Sequence, residues 1–399
     1  MRLSDGKQPE NSKETKYTFI RGKYMHLSEI RSRISKYPAG KISGRKWCLF
    51  TIFVTFGILG LAALLVYVVD PHYRYRTPSW YDMVYYELYA TAPRVLNDRE
   101  YDLLMLGTSM TRNFFIEDIE KAFGGRAVKL AASGGTTEDL CKFFEVAKDA
   151  KGDKLKRVVL SLDIYPLNKK DAHWKEFDFM YRKDHKEDYR YIFSRQTFSG
   201  MLYLIKRKRS PKKQRKHQAD PNRMFSTEYA GKPYGFYEVL KDAASNEYFR
   251  HTQTPYDEKV HKKNFYGKLL PVIDKNPQIA FTVYLPPYHI YTYCLSEVFG
   301  DADALIKQRS EVMRELLKRK NVQLHDFQTD VKYVENHDYF CDVQHFSNIA
   351  AKEILKDILS GRRKISTEAD VAANEKELRS VLAKNMPEYK KNMKKVKGE

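Results

Sequence analysis

Cysteine is scarce in this chain of 399 residues. There are four, Cys48, Cys141, Cys294 and Cys341, and no two stand in a C-x-x-C spacing, which argues against a structural zinc site. Cys48 falls in an apolar run, so three remain for the rest of the chain and at least one has no partner within it. A reduced domain and one with a single disulfide both fit. Acidic residues are also in short supply, 51 against 71 basic ones, for a net charge of +20. No zinc-finger spacing or other nucleic-acid motif accompanies that excess, so nucleic acid is not the expected partner. An anionic lipid surface or an anionic envelope polymer is. No internal repeat is present, and no cofactor is expected.

One stretch lacks charge altogether. Trp47 to Val69 is a run of 23 residues without Asp, Glu, Lys or Arg. At about 1.5 Å per residue such a helix crosses the ~30 Å hydrocarbon core of a bilayer. Trp47 and Tyr67 sit near its ends, where amphipathic aromatics favour the interface. A buried core helix is rarely apolar all round for this length. A cleaved signal peptide has a shorter apolar region and small residues at its cleavage site, which Tyr67-Val68-Val69-Asp70-Pro71 does not offer. The expectation is an uncleaved transmembrane anchor at 47–69. Residues 1–46 hold twelve Lys/Arg against four Asp/Glu, so the positive-inside rule puts the N-terminus in the cytoplasm and the larger part outside. Residues 1–40 read as a mostly disordered basic tail resting on anionic lipid.

Beyond the anchor, 70–98 reads as a stalk and an aromatic helix (Trp80 to Leu96). A strand–helix alternation then begins. Short apolar runs at Tyr101–Gly107, Ala127–Ala132, Val158–Leu162, Ile279–Leu285 and Val322–Phe327 read as buried strands. Helical spacing appears at Asn113–Phe123, Thr136–Ala150, 301–319 and Asn348–Leu359. That pattern predicts an α/β fold, with a mostly parallel five-stranded sheet covered on both faces. Active residues then belong at the carboxyl ends of the strands. The main domain is placed at 99–362, with an insertion at about 170–258. The insertion carries the basic run Lys206 to Lys216, either a solvated loop or a patch for an anionic glycan or lipid head group. Residues 363–399 read as a charged, flexible C-terminal tail.

The first strand ends in Gly107-Thr108-Ser109. A serine just after a strand-end turn and before a helix has the placement of a nucleophile, with free backbone N–H groups beside it; an ordinary helix N-cap looks the same. The second strand ends in Ala132-Ser133-Gly134-Gly135, where glycine lets a backbone N–H approach a substrate oxygen. After the fifth strand comes Asp342-Val343-Gln344-His345. Asp and His three apart in a loop can pair, the carboxylate holding the imidazole in its useful tautomer. A metal site is the competing reading. It lacks an obvious third ligand, although His289, His325 and Asp326 lie near other strand ends.

Together these residues resemble the SGNH (GDSL-like) hydrolase superfamily over 101–359. The resemblance implies a flavodoxin-like three-layer fold. It implies Ser109 as nucleophile, His345 as general base, Asp342 as its orienter, and an oxyanion hole formed in part by the Ser109 and Gly134 amides. No cofactor enters. One element departs from the family: after the third strand stands Leu162-Asp163-Ile164-Tyr165-Pro166, with no Gly-x-Asn-Asp. Asp163 or Tyr165 occupies the place of the Asn. An ionised Asp163 cannot donate a hydrogen bond, whereas Tyr165 can. The anchor, Val69-Asp70-Pro71 and Pro286-Pro287-Tyr288 are similar to an envelope branch that includes the D-alanyl transfer protein of teichoic acid synthesis and alginate acetylation proteins. His289, next to that last motif, joins Gly134, Asp163 and Tyr165 as a substrate-binding candidate. This branch implies ester hydrolysis or acyl transfer on a cell-envelope polymer, with a membrane-bound O-acyltransferase as partner. The alternative is an anchored, catalytically silent scaffold for that polymer or acyltransferase.

Overall fold

The computed structural model describes residues 17–20, 23–26, 43–77, 88–209, 233–248 and 256–398. The chain divides into two compact units, 1–64 and 65–399. In the first, Tyr17–Ile20 and Lys23–His26 pair as antiparallel strands within the tail expected to be disordered; most of that tail lies outside the described residues. Helix α1 (Gly44–Val69) has 26 residues, its most apolar 18-residue window has a mean hydropathy of 2.6, and almost none of it is buried. At about 39 Å it is long and apolar enough to cross a membrane, and equally to serve as a signal sequence.

The second unit is built on one sheet. Strands β1 (Leu103–Thr108), β2 (Ala127–Ala132), β3 (Arg157–Ser161), β4 (Ala280–Leu285) and β5 (Val322–Asp326) are the five expected, and all pair in parallel. A sixth strand, β6 (Lys364–Ile365), adds antiparallel to β5, so the sheet is mixed and six-stranded rather than five-stranded. The order is β2-β1-β3-β4-β5-β6. Its first five members follow the doubly wound flavodoxin-like order, whose switch point lies between β1 and β3.

Both faces of the sheet are covered, which is why its strands read as continuous apolar runs. Side chains alternate across it with period two. Leu104, Leu106, Val128, Leu130, Leu160 and Val283 enter one core with helices α2 (Leu88–Asp98) and α4 (Thr137–Lys151). Leu103, Met105, Val159 and Tyr284 enter the other, with α3 (Ile116–Phe123). Between β3 and β4 the chain leaves this plan through short helical turns, α5 (Arg195–Arg209) and α6 (Phe236–Tyr248). Lys206–Arg209 of the basic run form the last turn of α5, where cations suit the helix dipole; the rest of the run lies outside the described residues. The plan resumes with α7 (Tyr291–Phe299), α8 (Ala302–Leu317) and α9 (Asn348–Leu359). All four cysteines are free thiols.

Two segments differ from expectation. Residues 70–76 are a folded turn rather than a stalk. The Asp70 carboxylate accepts the backbone N–H groups of Arg74, Tyr75 and Arg76 and the Tyr191 hydroxyl, at 2.8–2.9 Å. Arg74 is buried, and its guanidinium donates to Asp188 at 2.8 Å and to the carbonyls of Arg182 and Asp184. Of the expected aromatic helix, α2 keeps the C-terminal part, and 78–87 lies outside the described residues.

The second difference is the C-terminus. Residues 363–399 do not form a flexible tail: Glu368–Lys397 is a 30-residue helix, α10, opened by a capping box between Thr367 and Asp370. It buries Val371, Asn374, Leu378, Val381, Leu382, Tyr389 and Met393, a narrow stripe at spacings mostly of three, four and seven. Asn374 donates to Asp326 at 2.9 Å and accepts from Arg309, whose own salt bridge to Asp326 is 2.5 Å with both side chains fully buried. The helix thus seals a charged pair at the end of β5.

Removing the carboxylate strands that cation. Asp326→Ala is expected to lower unfolding free energy by about 3–5 kcal/mol, read from urea unfolding of the full chain in detergent. A loss under about 1 kcal/mol would mean the pair is open to solvent.

Candidate active site

The site begins at Gly107. The chain turns so tightly after it that a Cβ there would stand 2.0 Å from Thr111 Oγ1 and 2.6 Å from Ser161 Cβ, distances real side chains do not reach. Thr108 then caps a short 3₁₀ turn, Ser109–Asn113, its hydroxyl accepting from the Met110 amide. Ser109 is the first residue of that turn, where backbone amides have no carbonyl partner within the turn. The serine therefore sits at the carboxyl end of β1, at the switch point of the sheet.

His345 and Asp342 arrive from the far end of the chain. Ser109 Oγ and His345 Nε2 are 2.7 Å apart, and His345 Nδ1 and Asp342 Oδ2 are 2.8 Å apart. The other carboxylate oxygen, Oδ1, accepts the amides of His345 and Gln344 at 2.6 and 2.8 Å. Burial alone would raise the Asp342 carboxyl; the His345 ring and these two amides outweigh it and hold it below its ordinary value. The His345 and Asp342 side chains keep 20% and 19% of their exposure, so the contact is reachable from solvent.

The loop that carries this pair is pinned on several sides. Its flanks, Phe340 and Phe346, bridge one another. The Val343 carbonyl accepts the His289 amide and the Thr292 hydroxyl of α7, and the Val343 amide donates to Asp242 of α6. Ser347 caps α9 directly behind it. Asp242 and Thr292 carried no signal in the sequence; each is an ordinary polar helix residue until the fold brings Val343 beside it.

The remaining candidates divide. Gly134 is exposed in a left-handed conformation, φ +64°, with open space on its Cβ side. Tyr89 donates to the Ser133 carbonyl at 3.1 Å, and Lys169 to that of Gly134 at 2.9 Å. In a trans peptide the carbonyl and N–H point oppositely, so Tyr89 fixes the direction of the Gly134 N–H. Asp163 is not a substrate contact here. It is buried, accepts from Thr108 Oγ1 and, at 3.0 Å, from the Tyr288 hydroxyl, and burial pushes its carboxyl above the ordinary value. It braces the turn that holds Ser109. Tyr165 is half-buried against both cores, and its ring lies 5.5 Å from that of Tyr288. His289 does not reach the serine either. It is fully buried, pairs with His337 at 2.8 Å and accepts the Tyr291 amide; burial lowers its imidazole to about 3. His325 bonds Gln323 and the Arg362 carbonyl, and Asp326 is held by Arg309. Among the described residues no three His, Cys, Asp or Glu side chains group to hold a metal ion.

A cleft of about 500 Å³, lined by Arg74, Arg94, Lys142 and Arg182 with Glu145 and Asp149, does not include Ser109, Asp342 or His345. In comparison with known proteins, the sequence matches no family model and no curated protein.

Two outcomes follow. A carboxyl depressed in the folded state stabilises above its unfolded value and loses that stability as pH falls through its lower folded value. Unfolding free energy of the wild type is expected to decline through this acid window more steeply than that of Asp342→Asn, in urea titrations across pH. Gly107→Ala forces Thr111 and Ser161 apart and is expected to cost about 1–3 kcal/mol, seen as a lower urea midpoint.

Proposed function

We propose that this chain is a membrane-anchored serine hydrolase or acyltransferase of the SGNH type, acting outside the cytoplasm on an ester of a cell-envelope polymer. The observation that carries the reading is the continuous contact from Ser109 Oγ through His345 to Asp342, at 2.7 and 2.8 Å. A serine at the end of β1 and an Asp-x-x-His loop after β5 support the class. α1 and the basic excess of 1–46 support an anchor with its N-terminus in the cytoplasm.

In this mechanism His345 Nε2 takes the Ser109 proton as the serine oxygen bonds to the ester carbonyl carbon. The carbonyl oxygen gains negative charge and is met by the amides of Ser109 and Gly134. Collapse breaks the ester bond, and the imidazolium gives its proton to the departing oxygen. Asp342, ionised and fixed by two amides, stabilises that imidazolium and holds its Nδ1 proton. Water or a sugar hydroxyl then attacks the acyl-serine with His345 again as base. Water makes the protein an esterase; a polymer hydroxyl supplied with acyl groups by a membrane-bound O-acyltransferase makes it a transferase. No cofactor is needed.

A silent scaffold for the polymer or the acyltransferase is the second reading. The burial of Asp163 between Thr108 and Tyr288 favours it, since an ionised carboxylate there gives the oxyanion no donor.

The two separate on a fluorophosphonate probe with the full chain in detergent. The wild type is expected to label and Ser109→Ala not to; an unlabelled wild type supports the scaffold. On a chromogenic acetyl ester, His345→Gln is expected to lose about 10⁶-fold in kcat with an unchanged melting temperature. Asp342→Asn should lose less; an equal or larger loss would assign Asp342 more than orientation.

A further inference from the structure

Helix α5 shows two faces. Thr197, Gly200, Met201, Leu204 and Arg207 are buried. Leu204 packs against Val69, the last residue of α1. Gly200 comes so close to the turn after α1 that a Cβ would stand 3.1–3.2 Å from His72 and Pro71. The helix is therefore seated directly on the point where the apolar helix ends.

The opposite face is apolar and uncovered. Leu202 and Ile205 are 67% and 46% exposed, and half-buried Phe198 completes a stripe with spacings of four and three. Immediately before α5, Tyr189 and Phe193, one helical turn apart, are 61% and 48% exposed. At its end stand the exposed Lys206, Lys208 and Arg209. Tyr67 and Val68, in the last turn of α1, are exposed as well. An apolar stripe with aromatics on it and cations at one end has the composition of a helix lying in a membrane interface.

We propose that the face of α5 carrying Leu202 and Ile205, with Phe193 and Tyr189, rests in the interface of the bilayer that α1 crosses. The occupant is lipid rather than a protein because α5 is seated on residues 69–72, where the membrane-length helix ends, and carries exposed basic residues at its own end. This rests on the reading of α1 as a membrane anchor. The domain then meets the membrane at two places, the helix end and α5, and these are joined rigidly through the Asp70 and Arg74 hydrogen bonds to Tyr191 and to 182–188. A second contact fixes how the sheet, and with it Ser109, is turned relative to the lipid.

The test uses the full chain in nanodiscs of phosphatidylcholine and phosphatidylglycerol. An environment-sensitive fluorophore is attached at Leu202→Cys or, separately, at Ile58→Cys. Both carry Cys48→Ser, since Cys294 and Cys341 are buried and burial pushes the Cys141 thiol to about 12. The expected result is blue-shifted emission at both sites, with several-fold quenching at position 202 by lipid carrying a nitroxide near the head group. Quenching at 58 by a deep nitroxide with water-like emission at 202 overturns this proposal and leaves the anchor standing. Water-like emission at 58 overturns the anchor, and the proposal with it. A blue shift at 202 that no nitroxide lipid quenches, or that requires two chains per disc, shows a protein covering the face and overturns the proposal.

Discussion

The contact between the Ser109 hydroxyl and the His345 ring joins residues 236 positions apart, and the architecture can be read as what holds it. A hydroxyl–imidazole bond contributes on the order of 1 kcal/mol net, far too little to organise its surroundings. Its geometry must be imposed from outside. On the serine side the imposition comes from the parallel ladder of β1 with β2 and β3, then from the Gly107 turn, which admits no side chain. On the histidine side it comes from the Val343 peptide, gripped by α6 and α7, and from the cap of α9. Both arms are rigid before they meet.

Asp163 ties the serine arm to two further strand ends. Its buried carboxylate spans the Thr108 hydroxyl after β1 and the Tyr288 hydroxyl after β4, so three strand ends converge on one side chain. Both neighbours donate, so an ionised carboxylate serves them best, while burial opposes ionisation. An asparagine in its place would offer only its carbonyl oxygen to these donors and an amide in return. Aspartate at this position therefore sets the brace beneath the serine.

The strands were legible because each is buried on both faces and reads as an unbroken apolar run. The Ser109, Asp342 and His345 positions were legible because strand ends collect chemistry. What escaped was whatever draws its meaning from distant partners. Asp70 and Arg74 look like polar residues of a stalk; Tyr191 and the carbonyls that bury them lie more than a hundred positions away. In α10 the apolar stripe is thin, interrupted by Asn374 and surrounded by lysine and glutamate, so composition argued for solvent where the buried Arg309–Asp326 pair demanded a lid. The sixth strand is two residues long, below the length at which periodicity speaks.

That lid sets an order on the making of the protein. The pair it covers belongs to α8 and β5, finished well before α10 is synthesised. Until Asn374 and the apolar stripe behind it have emerged, the carboxylate and guanidinium stay hydrated and the faces of α6, α7 and α8 that α10 covers lie bare. Assembly from the N-terminal side, the usual direction for a growing chain, thus stalls at an incomplete edge. Without that amphipathic helix the buried ion pair stays open to water.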